Sequence, residues 1–486
     1  MEPTVHRDEL FIGGRWIGAA ARRRRSVTDS NTGEILGSYP LAEVPDLDAA
    51  VAAAEASLRD RSGWGGYPGM QRAAVMRRFA DAIERRRAPL GELISREVGT
   101  PIARSIYSNV DTAVELLRFY ASVIERTPIE DLRGAERGFS IVRREAVGVV
   151  GMIGPWNFPL STLFFKLAPA LAAGCTAIVK PASDTALDSY LIAEAAIEAD
   201  LPPGVLNILP CAHETASRLV AHPGVKMIAF TGSTPVGREL STVCGGLLKP
   251  VTLGLGDKSA ALLLEDAPLE RFLAELHDLS FSNNGQACSN NSRIIVPASR
   301  YDEIVDGIVE EVSSWRIGSS LDPESRIGPL VTEEHRAFVE RHTDRAVREG
   351  ARILTRGARP DRPGYFVAPT VLGEVTPEMT VFREEVFGPT VSVTRYSGDP
   401  EEGVRLVNDS AYGRAGAVFT EDESVGIDIA RRIDTGAVGF NMYNFDIHAP
   451  FAVRKDSGIG FELGAEAIDV YLNYKTIFTP AVPAGF

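Results

Sequence analysis

The chain has 486 residues, 44% hydrophobic and 24% charged, with 65 acidic against 51 basic residues and a net charge of −14. Single cores stop growing near roughly 250 to 300 residues, so two or three lobes are expected. The acidic balance argues against a nucleic-acid partner, and the lack of any apolar run of about 18 residues or of a signal-peptide start argues against a membrane span and for a cytoplasmic protein.

Taken in chain order, the basic runs at residues 22–25 and 85–87 read as solvated faces without function. Residues 46–126 carry a helical pattern: DLDAAVAAAEASL, MQRAAVMRRFADAIERRR, and a third amphipathic run over 106–124. Residues 133–144 (RGAERGFSIVRR) read as a glycine-turned ribbon. From about Phe139 the period changes, and short apolar runs (AVGVVGMIG, CTAIVK, GVLNIL, VKMIAF) alternate with helical segments, which predicts a doubly wound parallel sheet. A second α/β series follows: SAALLL, a helix over 269–282, RIIVP, and helices over 301–315 and 333–349. The closing VYLNYKTIFTP reads as a strand. Two exposed strands of this kind invite pairing with another subunit.

Parallel sheets bind ligands beyond the carboxyl ends of their strands, so the loops there are the places to search. Four stand out: GPWNFPL (154–160), KPASDTA (180–186), TGSTPVG (231–237) and FSNNGQACS (281–289). Gly232 and Gly237 frame a turn into a helix, where backbone N–H groups and Ser233 suit an anion, although an ordinary capping serine explains the same letters. The dinucleotide fingerprint GxGxxG is absent. Cys175, Cys211, Cys244 and Cys288 have no CxxC spacing and form neither a disulfide framework nor a zinc site. Cys175 and Cys244 lie in apolar or helical surroundings typical of buried thiols. Cys288 instead lies in a polar Gly-Asn-Gln loop that a substrate can reach.

Together the four loops resemble those of the aldehyde dehydrogenase superfamily, and the similarity runs from FIGGRW (11–16) to DSGIGFELG (456–464). The pattern F-x-N-x-G-Q-x-C fits Phe281, Asn283, Gly285, Gln286 and Cys288, and P-W-N-F/Y-P fits residues 155–159. F-T-G-S-x-x-V-G fits 230–237, and E-E-x-F-G-P fits 384–389. The resemblance implies two doubly wound parallel-sheet lobes plus a small β oligomerisation ribbon. It assigns residues 1–124 and 146–255 to an NAD(P)-binding domain, 256–456 to a catalytic domain, and 125–145 and 466–486 to oligomerisation in a homodimer or homotetramer. Cys288 would attack the aldehyde as thiolate, and the oxyanion would be held by the Asn157 amide and the Cys288 backbone N–H. Hydride transfer to the nicotinamide leaves a thioester for water to cleave.

For the cofactor, the resemblance implies Ile153, Pro155, Trp156, Lys180, Ser183, Gly232, Ser233, Val236, Leu255, Glu385 and Phe387. In NAD-preferring relatives an acidic residue stands three positions after the lysine. Here that position is Ser183, which does not repel a 2′-phosphate, so NADP is expected alongside NAD. The aldehyde channel positions carry Phe158, Phe165, Phe445 and Phe451, which favour an apolar or aromatic aldehyde, although aromatics are equally the filling of a core.

One motif departs from the family. The usual E-L-G-G-K-S, whose glutamate is the general base, reads here Gly254-Leu255-Gly256-Asp257-Lys258-Ser259. Loss of a general base costs on the order of 10² to 10⁴ in rate. Three explanations are open: another carboxylate substitutes, Glu462 or Asp257; the thioester passes to coenzyme A instead of water; or the chain is a catalytically silent nucleotide-binding or structural member.

Overall fold

Two open twisted sheets carry the fold in the computed structural model, which describes residues 5–357, 359–483 and 486. In the first, the strands follow the spatial order Gly458–Ile459, Val251–Gly254, Val225–Thr231, Val149–Ile153, Thr176–Lys180, Leu206–Ile208, Glu9–Ile12 and Arg15–Gly18. The five from Val251–Gly254 to Leu206–Ile208 are parallel. The apolar runs of the sequence become these strands because both faces of a parallel sheet are covered by helices. The edge hairpin Glu9–Ile12 and Arg15–Gly18 pairs antiparallel. It adds to the helices expected of the N-terminal region.

The second sheet runs Arg352–Arg356, Thr370–Gly373, Thr390–Tyr396, Arg293–Pro297, Ala260–Leu263, Ala415–Phe419 and Ala437–Phe440. It is parallel apart from its edge strand Arg352–Arg356. The predicted helices of this half appear as Leu269–Ser280, Tyr301–Ser314 and Glu333–Arg348. The third N-terminal helix occupies Thr112–Arg126, and the turn before it, Ile106–Asp111, is wound as a π-helix.

The ribbon and the C-terminal strand meet. Leu472–Thr479 pairs antiparallel with Phe139–Ala146, which pairs in turn with Glu130–Gly134. The two strands expected to seek partners therefore find each other, and Leu472–Thr479 is left as an edge on which Phe478 is 81% exposed. Among the described residues no helix is long and apolar enough to cross a membrane.

Two packing features position the site. Helix Pro159–Ala173 is apolar on every side and buried throughout, so it lies inside the first lobe rather than on its surface. It nevertheless carries Lys166, 1% exposed, into that interior. In the second lobe, Phe281 is fully buried and packs edge-to-face on Trp315, centroids 4.9 Å apart, at the root of the cysteine loop. Replacing Phe281 by Ala should lower unfolding free energy by about 3 to 5 kcal/mol. Guanidinium unfolding read by circular dichroism checks this, and an unchanged midpoint would contradict the packing described.

Candidate active site

The strand order of the first sheet reverses between Val149–Ile153 and Val225–Thr231, since the chain leaves the former toward one edge and returns to the latter on its other side. A crevice opens at such a switch point, beyond the carboxyl ends of the strands. Here it is a cavity of about 680 Å³. All eleven positions expected at a cofactor line it, together with Asn157 and Cys288.

Its middle is the start of helix Thr234–Gly246, preceded by Gly232 and Ser233. The Ser233 side chain makes no capping hydrogen bond, which weighs against the purely structural reading of that serine. Unpaired N–H groups at a helix start suit a pyrophosphate. One end holds Lys180, Ser183, Asp184 and Arg25. Burial pushes the Lys180 ammonium below its ordinary value, and Arg25 Nη2 donates to Asp184 Oδ1 at 2.8 Å. The other end holds Cys288, Asn157, Glu385 and Phe387. A long cavity with cationic groups at one end, a helix start in the middle and a thiol at the other fits a dinucleotide.

The loop that presents Cys288 is built by its amides. Asn283 and Asn284 both adopt the left-handed conformation, with φ of 54° and 59°, which asparagine tolerates better than most residues. Asn283 Nδ2 donates to the Asn157 carbonyl at 2.8 Å, and Asn157 Nδ2 donates to the Gln286 carbonyl at 2.9 Å. Asn284 Nδ2 donates to the carbonyls of Gly99 and Pro329, at 2.8 and 2.9 Å. Gln286 Oε1 accepts from Val331 N at 3.0 Å. Gly285 has a φ of 79°, and a Cβ there would stand 2.0 Å from the Gly388 oxygen, so only glycine fits. The loop's polarity thus serves burial: these three amides are scaffold, while Cys288 is half-buried at the cavity.

Cys175, Cys211 and Cys244 are buried. Burial pushes the thiols of Cys175 and Cys211 up to about 11. The Cys288 thiol is also pushed up by burial; Arg414 pulls it back down, while the carboxylates of Glu385, Asp257 and Glu462 add to the rise. Glu385, half-buried and accepting the Asp257 N–H at 3.1 Å, is raised to about 7, chiefly by desolvation.

Glu462 does not reach this cavity. Its Oε1 accepts from Lys166 Nζ at 2.5 Å, and it lines a separate small pocket with Gly254 and Arg414. Lys166 Nζ also donates to Thr231 Oγ1 at 2.6 Å. Asp257, the other candidate substitute base, is committed elsewhere: its carboxylate accepts from Ser259 Oγ and from the Arg414 backbone N–H at 3.2 Å. Of the four aromatics expected along the aldehyde channel, Phe165 stacks on Phe445 with centroids 5.2 Å apart, and Phe445 meets Phe451 edge-on at 5.3 Å. Phe158 sits apart from that stack, at the N-cap of helix Pro159–Ala173. None of the four lines the large cavity.

The sequence analysis missed two arginines. Arg25 belongs to a run read as a solvated face, yet it lines the cavity beside Lys180. Arg414, in the unremarkable stretch AYGRAGAVF, is 2% exposed beside the Gly254 position. No local signal marks either, because both reach the site from segments distant in sequence.

Comparison with known proteins agrees with this geometry. The profile of the Aldehyde dehydrogenase family matches residues 16–477. The geranial dehydrogenase of Castellaniella defragrans is 46% identical over 479 residues, 98% of this chain and 99% of that one. The crystal structure of a Mycobacterium tuberculosis aldehyde dehydrogenase complexed with NAD+ superposes with a TM-score of 0.95 at 38% identity, covering 100% of both chains. A mutant of aldehyde dehydrogenase C from Pseudomonas syringae, complexed with NAD+ and octanal, superposes with a TM-score of 0.93 at 31% identity, covering 99% of this chain and 98% of the other. With its parallel-sheet lobes, its switch-point cavity and the cysteine loop at one end, the chain belongs to the aldehyde dehydrogenase family.

Proposed function

We propose that the protein oxidises an apolar or aromatic aldehyde to its carboxylic acid with NAD(P)+, through a covalent thioester on Cys288. The observation that carries this reading is the placement of Cys288, the half-buried thiol of the large cavity, in one cavity with Asn157. The Cys288 thiolate attacks the carbonyl carbon, forming a C–S bond and an oxyanion. Asn157 donates one N–H to the Gln286 carbonyl. Its second N–H and the Cys288 backbone N–H are the donors for that oxyanion. NAD(P)+ held in the cavity supplies the hydride acceptor. Water then attacks the thioester carbon, the C–S bond breaks, and thiolate, acid and a proton are released. For the base we propose Glu462 acting through a water, because its small pocket, shared with Gly254, which stands where the family carries its general-base glutamate, lies apart from the cavity and has room for about one water.

The substrate class rests on the relative named for geranial, an apolar aldehyde, since the stack of Phe165, Phe445 and Phe451 lies outside the lining of the large cavity. The cofactor rests on the cavity and on the neighbours complexed with NAD+. We assign residues 1–124 and 146–255 to NAD(P) binding, 256–456 to catalysis, and 125–145 with 466–486 to assembly of a homodimer or homotetramer through the exposed edge strand.

Rapid mixing with an apolar aldehyde and NAD+ or NADP+ should give a burst of NAD(P)H followed by a slower steady rate, and Cys288→Ala should abolish both. No burst across a broad aldehyde panel, despite cofactor binding, would sink the proposal. Restoration of fast turnover by added coenzyme A, but not by water alone, would replace hydrolysis by acyl transfer. Ser183→Glu should lower kcat/KM with NADP+ by about tenfold or more while sparing NAD+, because a carboxylate repels the 2′-phosphate. An unchanged NADP+ to NAD+ ratio would remove Ser183 from cofactor choice.

A further inference from the structure

Arg25 belongs to strand Arg24–Thr28, the edge of a three-stranded sheet, and stands opposite Tyr39 in the ladder with Ile35–Pro40. Successive side chains of a strand point to opposite faces, and the two arginines that open this one have separate fates. Arg24 is spent on structure: it donates to Asp8 Oδ1 at 2.6 Å, to the Arg7 carbonyl at 2.7 Å and to Ser38 Oγ at 2.9 Å. Arg25 lines the large cavity instead, with a side chain that is 47% exposed. Among the described residues it makes one side-chain hydrogen bond, from Nη2 to Asp184 Oδ1 at 2.8 Å. A guanidinium has five donors, so Nε and Nη1 are left for a ligand.

The same ladder fixes the loop that faces it. Tyr39, 1% exposed, donates from its hydroxyl to the Ser183 carbonyl at 2.7 Å. That bond ties the loop carrying Lys180, Ser183 and Asp184 to the strand pair that carries Arg25. Lys180 and Arg25 are the lysine and arginine of the cavity wall, and both stand at this end. Against them is one carboxylate, Asp184, already paired with the guanidinium. The other carboxylates of the wall lie elsewhere, Glu385 with Cys288 and Glu239 on helix Thr234–Gly246. An adenosine ribose is recognised in two ways: a carboxylate accepts from its 2′-hydroxyl, or an arginine takes a 2′-phosphate. Here the carboxylate is paired, Ser183 carries no charge, and the arginine has donors to spare. Hydrogen bonds from a guanidinium to a phosphate are charge-assisted and about twice as strong as neutral ones.

We infer that Arg25 is the ligand for the 2′-phosphate of NADP: its guanidinium, held at the cavity wall by Asp184, makes the chain prefer the phosphorylated dinucleotide over NAD. The inference rests on the reading of the cavity as the cofactor site and deepens it. Ser183 removes a repulsion, whereas Arg25 supplies the attraction. A member of the basic run at 22–25 thereby acquires a function that its neighbours in the run do not share.

The test is a calorimetric titration of the free enzyme with adenosine 2′,5′-bisphosphate and with adenosine 5′-monophosphate. The two differ only in the 2′-phosphate and carry no nicotinamide, so catalysis plays no part in the readout. The parent should bind the bisphosphate at least about tenfold more tightly, the size of one hydrogen bond to a charged group. Arg25→Gln should erase that preference while leaving monophosphate affinity within about threefold of the parent, which also shows that the variant is folded. Equal binding of the two ligands by the parent, or a preference that survives Arg25→Gln, would overturn the inference. Binding of neither ligand by the parent would overturn the reading of the cavity as the cofactor site, and the inference would fall with it.

Discussion

A charge taken out of water has to be matched where it sits, and the buried guanidinium of Arg414 is the charge around which the lower half of this site is arranged. Asp257 accepts from its backbone, Leu255 from its Nη2, and the Phe451 ring lies over it. Leu255 and Asp257 belong to one loop and Phe451 to a segment almost 200 residues later, so two distant parts of the chain meet at Arg414. A second buried cation, Lys166, does the same from inside the first lobe, tying Thr231 at a strand end to Glu462 near the C-terminus. Lys166 holds Glu462, which lines a small pocket together with Arg414.

The upper half of the site is set by backbone geometry. The switch in strand order opens the crevice, and the start of helix Thr234–Gly246 supplies its anion-binding middle. Opposite, three buried amides and one left-handed glycine fix the loop that carries Cys288. That loop is rigid because every amide in it has a partner, not because it is apolar. A nucleophile held this way loses little on binding substrate, which is how preorganisation lowers a barrier.

Much of this was legible in the sequence. The change from helical to strand–helix periodicity marked the parallel sheets, and the four loops marked the cavity, because residues at strand ends are local features of short motifs. What was not legible is what long-range packing decides. The polar letters of FSNNGQACS read as an accessible loop, yet Asn283, Asn284 and Gln286 are buried scaffold. Arg25 read as part of a solvated run, yet it lines the cavity together with Lys180. Glu462 read as a candidate substitute base, yet Lys166 holds it in a pocket separate from the large cavity. Arg414 carried no signal, since nothing in AYGRAGAVF announces that its side chain ends beside Gly254, 160 residues earlier in the chain.

The central claim is a covalent bond between Cys288 and the oxidised substrate. Acid quenching within the first turnover, after mixing with an apolar aldehyde and NAD(P)+, followed by peptide mass spectrometry, addresses it directly. The account predicts an acyl adduct on the Cys288 peptide that disappears as the acid forms. Acid formation with no adduct, or an adduct on Cys175, Cys211 or Cys244, would contradict it.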